Sequence, residues 1–344
     1  MDNQHLNEWF SKREKLKSEH TAEKLFPQLI KGSIIALSKA ITLIESKKEN
    51  DKKEADFLLQ KSLPYTGKSK RIGISGIPGV GKSSFIENLG LELIKKGHKV
   101  AVLAIDPSSE KNLGSILGDK TRMQLLSQNE NSFIRPSPSN LSLGGVAKHT
   151  RECIYLCELA GFDIIIIETV GVGQSETQVK KMIDYFLLLH LPNSGDELQG
   201  IKRGIMEIAD GIVVNKADGE MQKKAQLAKK MLENALHLFP KNDINWTVKV
   251  FCSSIYDISS YEKIIQNIEY YFLHLEKNNQ LNEIRNLQDI YWFREYINEQ
   301  ILSYFTESTN AKEELKILEQ KIYLKELPVY VASKEFLNKF KSKF

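Results

Sequence analysis

A glycine-rich segment in the first third of the chain has the residue types that bind phosphate. It runs Gly76-Ile-Pro-Gly-Val-Gly-Lys-Ser83 and fits the pattern G-x-x-x-x-G-K-[ST]. Its glycines let successive N–H groups point at phosphate oxygens, while Lys82 can reach the β- and γ-phosphates and Ser83 can ligate Mg²⁺. The alternative is a glycine-rich turn without a ligand. The predicted nucleotide-binding residues of this phosphate loop are Gly76, Ile77, Pro78, Gly79, Val80, Gly81, Lys82, Ser83 and Ser84.

A second segment, Asn215-Lys216-Ala217-Asp218, indicates which base the nucleotide carries. An aspartate at the end of a strand can accept two hydrogen bonds from guanine, from N1–H and from the exocyclic amine, whereas adenine would leave the carboxylate poorly satisfied. Asn215 can hold the loop or contact the base edge, and the Lys216 stem can cover the base face. Ser253 and Ser254 are expected to close the loop on the base side. The alternative is that Asp218 only caps the following helix.

Three further residues are candidates for metal binding and hydrolysis. Asp106 and Glu168 each end an expected strand on the side of the phosphate loop, where a carboxylate can hold Mg²⁺ through its waters or orient the attacking water. The segment Glu168-Thr-Val-Gly171 resembles the D-x-x-G signature of GTPases, with Glu in place of Asp. The N–H of Gly171 is therefore a candidate sensor of the γ-phosphate. For Asp106 the alternative is a turn residue before Pro107.

These residues need a scaffold that brings the ends of several strands together. Near-continuous apolar strands separated by helical stretches predict an α/β fold whose parallel sheet is covered on both faces. Strands are expected over 71–75, 99–106, 162–168, 211–215 and 249–252, and helices over 84–97, 146–160, 173–189 and 220–238. The pattern before about residue 68 and after about residue 260 is helical.

Composition excludes several classes of protein and partner. With 41% hydrophobic and 27% charged residues, the 344-residue chain can bury a full core, which rules out global disorder. Its 48 Lys+Arg and 44 Asp+Glu give a net charge of +4, so neither nucleic acid nor an anionic membrane is an expected partner. No apolar run approaches the roughly 18 residues of a membrane helix. Three Cys indicate a reducing, cytoplasmic compartment.

Several long segments resemble one family, the MeaB/ArgK-type GTPases, which are G-protein chaperones of adenosylcobalamin-dependent methylmalonyl-CoA mutase. The resemblance extends over nearly the whole chain, and its most specific parts are Glu168 to Glu176 and Leu191 to Lys202. Further matching segments are Asp106-Pro-Ser-Ser109, Gly114 to Met123, Arg135-Pro-Ser-Pro138 and Gly144-Gly-Val-Ala147.

The resemblance implies a P-loop NTPase of the SIMIBI type, related to signal-recognition-particle and metal-insertase G proteins, with a three-layer parallel sheet and N- and C-terminal helical extensions. It implies an N-terminal extension over 1–68, a GTPase domain over 69–275 and a C-terminal helical arm over 276–344 that forms a homodimer. It also implies that GTP binding and hydrolysis gate adenosylcobalamin loading and protect methylmalonyl-CoA mutase or a close acyl-CoA mutase.

Carried over by position, the resemblance gives Asp106, Asp119 and Glu168 as the acidic set around metal and water. It places Asp196 and Lys202 on a loop that communicates with the mutase. Three other functions stay open at this point: a metal-insertase-like GTPase, an ATP-dependent kinase or transport component, and a structural dimer with a vestigial site.

Overall fold

A parallel sheet carries the elements that position the candidate site. The computed structural model describes residues 21–46, 48–105, 123–136, 143–169, 175–192, 203–239, 244–307 and 309–340. Within these ranges the strands are β1 (Lys70–Gly76), β2 (Val100–Ala104), β3 (Ser132–Pro136), β4 (Ile164–Glu168), β5 (Tyr185–His190), β6 (Gly211–Val214) and β7 (Lys249–Cys252). They form a seven-stranded sheet in the order β3-β2-β4-β1-β5-β6-β7, and every neighbouring pair is parallel.

Helices precede, connect and follow these strands. In the described part of the chain they are α1 (Ala22–Ile30), α2 (Ile34–Glu45), α3 (Glu49–Ser62), α4 (Lys82–Lys95), α5 (Gln124–Ser127), α6 (Leu143–Leu159), α7 (Ser175–Lys180), α8 (Arg203–Glu207), α9 (Met221–Leu236), α10 (Ile258–Lys277), α11 (Gln280–Glu307), α12 (Thr309–Tyr323) and α13 (Val329–Phe340). None of the helices described here combines the length and apolar composition needed to cross a bilayer.

The predicted α/β class with a parallel sheet is confirmed, but one expected helix is wrong over its second half. Residues 185–190 form strand β5, which pairs with β1 and β6, and of the described residues between 175 and 189 only Ser175–Lys180 is helical. All six residues of β5 are buried. A short, fully apolar run has no period of its own, so strand and buried helix cannot be distinguished from the pattern alone. Strand β3 was not expected at all.

Strand β1 is packed on both faces of the sheet, by helices α4 and α10 on one face and by the end of α7 on the other. Ile72 and Ile74 are wholly buried in the same apolar cluster as Phe85 of α4 and Tyr261 of α10, whose ring centroids are 5.2 Å apart. On the other face, a Cβ at Gly73 would lie 2.3 Å from Ile183 Cδ1, just after α7. The loop that leaves β1 therefore starts from a position packed on both sides.

The chain divides into two compact units between Arg285 and Asn286. The first contains the sheet. The second has a small apolar core of its own, formed by Ala311, Leu318, Ala332 and Phe336 from α12 and α13. The division expected from the sequence, at residues 68 and 275, stays a prediction.

Candidate nucleotide site

The phosphate loop connects β1 to α4 at the carboxyl edge of the sheet. Gly81 has φ 93°, in the region that favours glycine, and Lys82 is the first residue of α4. Ser83 and Ser84 follow in the first helical turn, so the unpaired N–H groups of that turn and the helix dipole face the loop. Val80 is wholly buried and ties the loop to the core. Backbone geometry of this kind can cradle a phosphate.

The Lys82 ammonium lies against its own loop. Its Nζ donates to the carbonyl oxygen of Gly76 at 2.7 Å and to that of Ile77 at 3.4 Å. Burial lowers the pKa of Lys82, while the nearby carboxylates of Glu168 and Glu176 raise it. The two carbonyls hold the cation at the mouth of the loop, where it can meet phosphate oxygens.

Ser83 and Glu168 form the oxygen-rich part of the site. Glu168 is the last residue of β4, in register with Ile74 of β1, and Ser83 Oγ donates to Glu168 Oε1 at 3.3 Å. A hydroxyl and a carboxylate are the hard oxygen donors that Mg²⁺ prefers, so the residues present fit this ion.

The segment Asn215 to Asp218 follows β6 and contacts the phosphate loop directly. Asn215 is buried, and its Nδ2 donates to the Val80 carbonyl oxygen at 2.9 Å. Lys216 has φ 58° and its Nζ donates to the Gly79 carbonyl oxygen at 2.8 Å. A Cβ at Gly81 would lie 3.0 Å from Asn215 Nδ2, a tight contact that adds to the preference for glycine set by its φ. The two predicted motifs therefore form one continuous site.

Ser253 and Ser254 support the far end of that site. The Ala217 N–H donates to the Ser253 carbonyl oxygen at 3.0 Å, and Ser254 Oγ donates to Asp218 Oδ1 at 2.8 Å. Both serines are buried, whereas Asp218 is exposed. The serine hydroxyl orients the carboxylate without covering it, which leaves Asp218 able to accept hydrogen bonds from a base.

Comparison with known proteins identifies the family. A family model described as methylmalonyl Co-A mutase-associated GTPase MeaB matches residues 37–310. This chain belongs to the MeaB family. GTPase ArgK of Escherichia coli is 42% identical over 83% of this chain and 87% of that protein. The mitochondrial methylmalonic aciduria type A homolog of Mus musculus is 39% identical over 95% of this chain and 81% of that protein.

A solved structure supports the fold. The crystal structure titled LAO/AO transport system kinase is 33% identical in sequence, with a TM-score of 0.74, covering 94% of this chain and 98% of that one. The resemblance of the sequence to MeaB-type GTPases is thus confirmed, as is the P-loop GTPase fold. This MeaB-family protein is a GTP hydrolase.

Five predicted site residues of this MeaB-family GTPase lie outside the described residues. They are Asp106, Asp119, Gly171, Asp196 and Lys202. The roles given to them stay predictions. Of the acidic set, Glu168 is described, and it lies beside Ser83.

One buried carboxylate at the site was not singled out by sequence reasoning. Glu176, near the start of α7, is wholly buried and accepts a hydrogen bond from Ser75 Oγ at 3.1 Å. A weak signal was present, because Ser75 is a polar residue that ends an apolar strand directly before the phosphate loop. Glu176 is eight residues beyond Glu168, and the sequence alone does not show that they approach the same lysine.

Proposed function

We propose that this GTPase is the chaperone of an adenosylcobalamin-dependent acyl-CoA mutase, with methylmalonyl-CoA mutase as its partner. The observation that carries the proposal is the family match over residues 37–310, because that family is described by its association with this mutase. The name of the mouse relative, a methylmalonic aciduria type A homolog, points to the same metabolism.

In this proposal the two loops hold opposite ends of GTP. The loop from Gly76 to Ser84 surrounds the phosphates, and Lys82 balances their charge. Asp218 accepts from guanine, Lys216 covers the base face, and Ser253 and Ser254 keep that loop closed. The contact between Asn215 and Val80 sets the distance between the two ends, since it joins the loops directly.

Hydrolysis is phosphoryl transfer to water, in which positioning and charge neutralisation supply most of the acceleration. Ser83, Glu168, Asp106 and Asp119 would hold Mg²⁺, which supplies charge neutralisation at the phosphates when it is bound. Glu168 or Asp106 orients the attacking water, and the Gly171 N–H senses the γ-phosphate.

GTP acts as a signal if the mutase has different affinities for the GTP and GDP states. We place Asp196 and Lys202 on the surface that meets the mutase, as the family resemblance implies. Turnover is slow in the isolated protein and rises in the complex, and the nucleotide state gates cofactor loading and protects the mutase. The protein works in the cytoplasm as a homodimer formed through its C-terminal helices.

Reconstitution with purified methylmalonyl-CoA mutase tests this proposal. Apo-mutase and adenosylcobalamin are mixed with the GTPase plus GTP, GDP or a non-hydrolysable GTP analogue, and cofactor binding is followed by its absorbance spectrum. We expect loading to proceed with GTP and to stall with the analogue, and the mutase to co-elute with the analogue-bound protein. Equal loading under all nucleotide conditions would contradict the gating role.

One alternative has a specific observation in its favour. The solved structure with a TM-score of 0.74 is titled a transport system kinase, which would make the γ-phosphate a group donated to another molecule. ATP competition separates the two functions: a guanine-specific chaperone keeps its bound labelled GTP in excess ATP, whereas an ATP-dependent kinase loses it.

A further inference from the structure

Glu176 places a buried negative charge beneath the phosphate loop. It is the second residue of α7 and its side chain is wholly inaccessible to solvent. A buried carboxylate is costly unless hydrogen bonds and a positive charge compensate it. Ser75, itself 1% exposed, supplies one hydrogen bond, from Oγ to Glu176 Oε1 at 3.1 Å.

The phosphate loop supplies the positive charge. Ser75 directly precedes Gly76, whose carbonyl oxygen accepts from Lys82 Nζ at 2.7 Å. Glu176 is close enough to Lys82 to raise its pKa against the larger lowering effect of burial. Hydrogen bonds and the chain itself thus link the Glu176 carboxylate, through Ser75 and Gly76, to the Lys82 ammonium.

The helix that carries Glu176 is held firmly on β1. Val179, Met182 and Ile183, in and just after α7, are buried. They pack directly against the backbone of β1, because the facing residue of that strand is Gly73, which has no side chain. A Cβ there would lie 3.3 Å from Val179 Cγ1 as well as 2.3 Å from Ile183 Cδ1. The carboxylate therefore keeps its place relative to the phosphate loop.

We propose that Glu176 is a positioning residue of the GTPase site that limits nucleotide affinity. Its charge acts through Lys82, which it attracts in competition with the phosphates of the nucleotide. This rests on the phosphate-binding role of Lys82 in the proposed function. A residue that restrains affinity in this way keeps GTP and GDP exchangeable, as a signalling cycle requires.

The direction of the change in nucleotide affinity distinguishes this charge effect from damage to the fold. A buried negative charge near the phosphates weakens the binding of anions, and more so for those with more charge close to Lys82. Loss of the charge should therefore tighten binding in the order GTP over GDP over GMP. Damage to the fold would weaken all three.

Glu176→Gln removes the charge and keeps an acceptor for Ser75, while Ser75→Ala removes the hydrogen bond and keeps the charge. Calorimetry with magnesium and GMP, GDP or a non-hydrolysable GTP analogue gives the dissociation constants. We expect Glu176→Gln to bind the analogue about tenfold and GDP about threefold more tightly, with GMP unchanged. Ser75→Ala should tighten none of them. Weaker or uniformly changed binding by Glu176→Gln overturns the proposal.

Stability without nucleotide gives a second, independent test. Lys82→Met removes the cation beside Glu176 and should lower the melting temperature, and adding Glu176→Gln to that variant should raise it again. The proposal is overturned if the two substitutions lower the melting temperature additively. Because the comparison is between Lys82→Met and the double variant, it can be made even if Glu176→Gln alone does not fold. Wild-type protein that binds no guanine nucleotide would refute the proposed function instead.

Discussion

Lys216 shows how the site uses a conformation that its residue type disfavours. Its φ of 58° lies in the left-handed region, which costs a non-glycine residue on the order of 1 kcal/mol or more. The compensation comes from the backbone on both sides: the Asn215 N–H donates to the His190 carbonyl oxygen at 2.8 Å, and the Ala217 N–H to that of Ser253 at 3.0 Å. The turned backbone aims the lysine stem at Gly79, so its apolar methylenes line the space between the two loops.

In the proposed site, Asp218 is the residue that selects guanine. We expect Asp218→Asn to weaken GTP binding by about 10- to 100-fold and to favour xanthosine triphosphate, because an amide can donate to the 2-oxo group of xanthine. Dissociation constants for both nucleotides measure the change. Asp257→Asn is the matched control: Asp257 is exposed near the same loop, but its Oδ1 accepts from the Ser259 N–H at the start of α10. Undiminished GTP selectivity in Asp218→Asn would refute the base assignment.

In the proposed mechanism, hydrolysis requires the positive charge of Lys82. We expect Lys82→Ala to lower the GTPase rate by at least about 100-fold, since it removes the cation that neutralises the phosphates in the transition state. Phosphate release from saturating GTP is the measurement. Lys95→Ala, at the other end of α4 and exposed in its pair with Glu92, should release phosphate at the wild-type rate. A Lys82→Ala rate equal to wild type would remove this lysine from the mechanism.

Among the secondary-structure elements, those set by neighbouring residues could be predicted from the sequence, and those set by contacts between distant residues could not. The turn between β1 and α4 was located correctly because local residue types dictate it: glycines, then Lys and Ser at the start of a helix. Strand β5 was missed because Tyr-Phe-Leu-Leu-Leu-His is apolar on every side, and only its two strand partners make it extended. Strand β3 was missed because five residues that end in Arg-Pro carry little strand signal. The bond from Asn215 to Val80 joins residues 135 positions apart, and no local pattern contains it.

The start of α11 is held to the sheet unit by one buried ion pair. Arg285 Nε donates to Asp184 Oδ1 at 2.9 Å and Nη2 to Oδ2 at 2.6 Å, while Nη1 and Nη2 also donate to the Gly67 and Ser69 carbonyl oxygens at 2.6 Å. Asp184 lies directly before β5 and also accepts from the Arg71 N–H of β1 at 2.9 Å. The pair therefore fixes the start of two central strands as well as a helix.

We expect Arg285→Ala to destabilise the protein by about 3–5 kcal/mol, because it leaves the Asp184 carboxylate buried without its cation. Arg285→Lys should recover part of this loss, since it restores the charge but not the two-fold geometry. The free energy of unfolding in urea measures both. Arg294→Ala, an exposed arginine further along the same helix, should change it by less than about 0.5 kcal/mol. A loss that small for Arg285→Ala would show that the pair is dispensable.

At the scale of the whole molecule, the two compact units differ in how completely they bury apolar surface. The sheet unit buries its apolar strands almost entirely, as the four isoleucines of β4 show. Among its described residues, the unit from Asn286 onward has an apolar core of four residues and one further buried apolar side chain, Trp292. It leaves large apolar side chains such as Phe293 and Val329 about two-thirds exposed. Apolar surface on that scale marks an interaction site, which agrees with the proposed homodimer.

If the protein is the proposed homodimer, charge placed in the apolar groove of the second unit should separate the chains. Ile301 of α11 and Val329 of α13 both line this groove and are 44% and 67% exposed. We expect wild-type protein to have twice the mass of one chain by light scattering, and the double variant Ile301→Asp, Val329→Asp to have the mass of a single chain, because two buried carboxylates would face an apolar partner surface. Tyr323→Asp, at an 85% exposed position, is the control and should stay dimeric. Retained GTP binding shows that the double variant is folded, and a dimer that persists in it would exclude this groove from the interface.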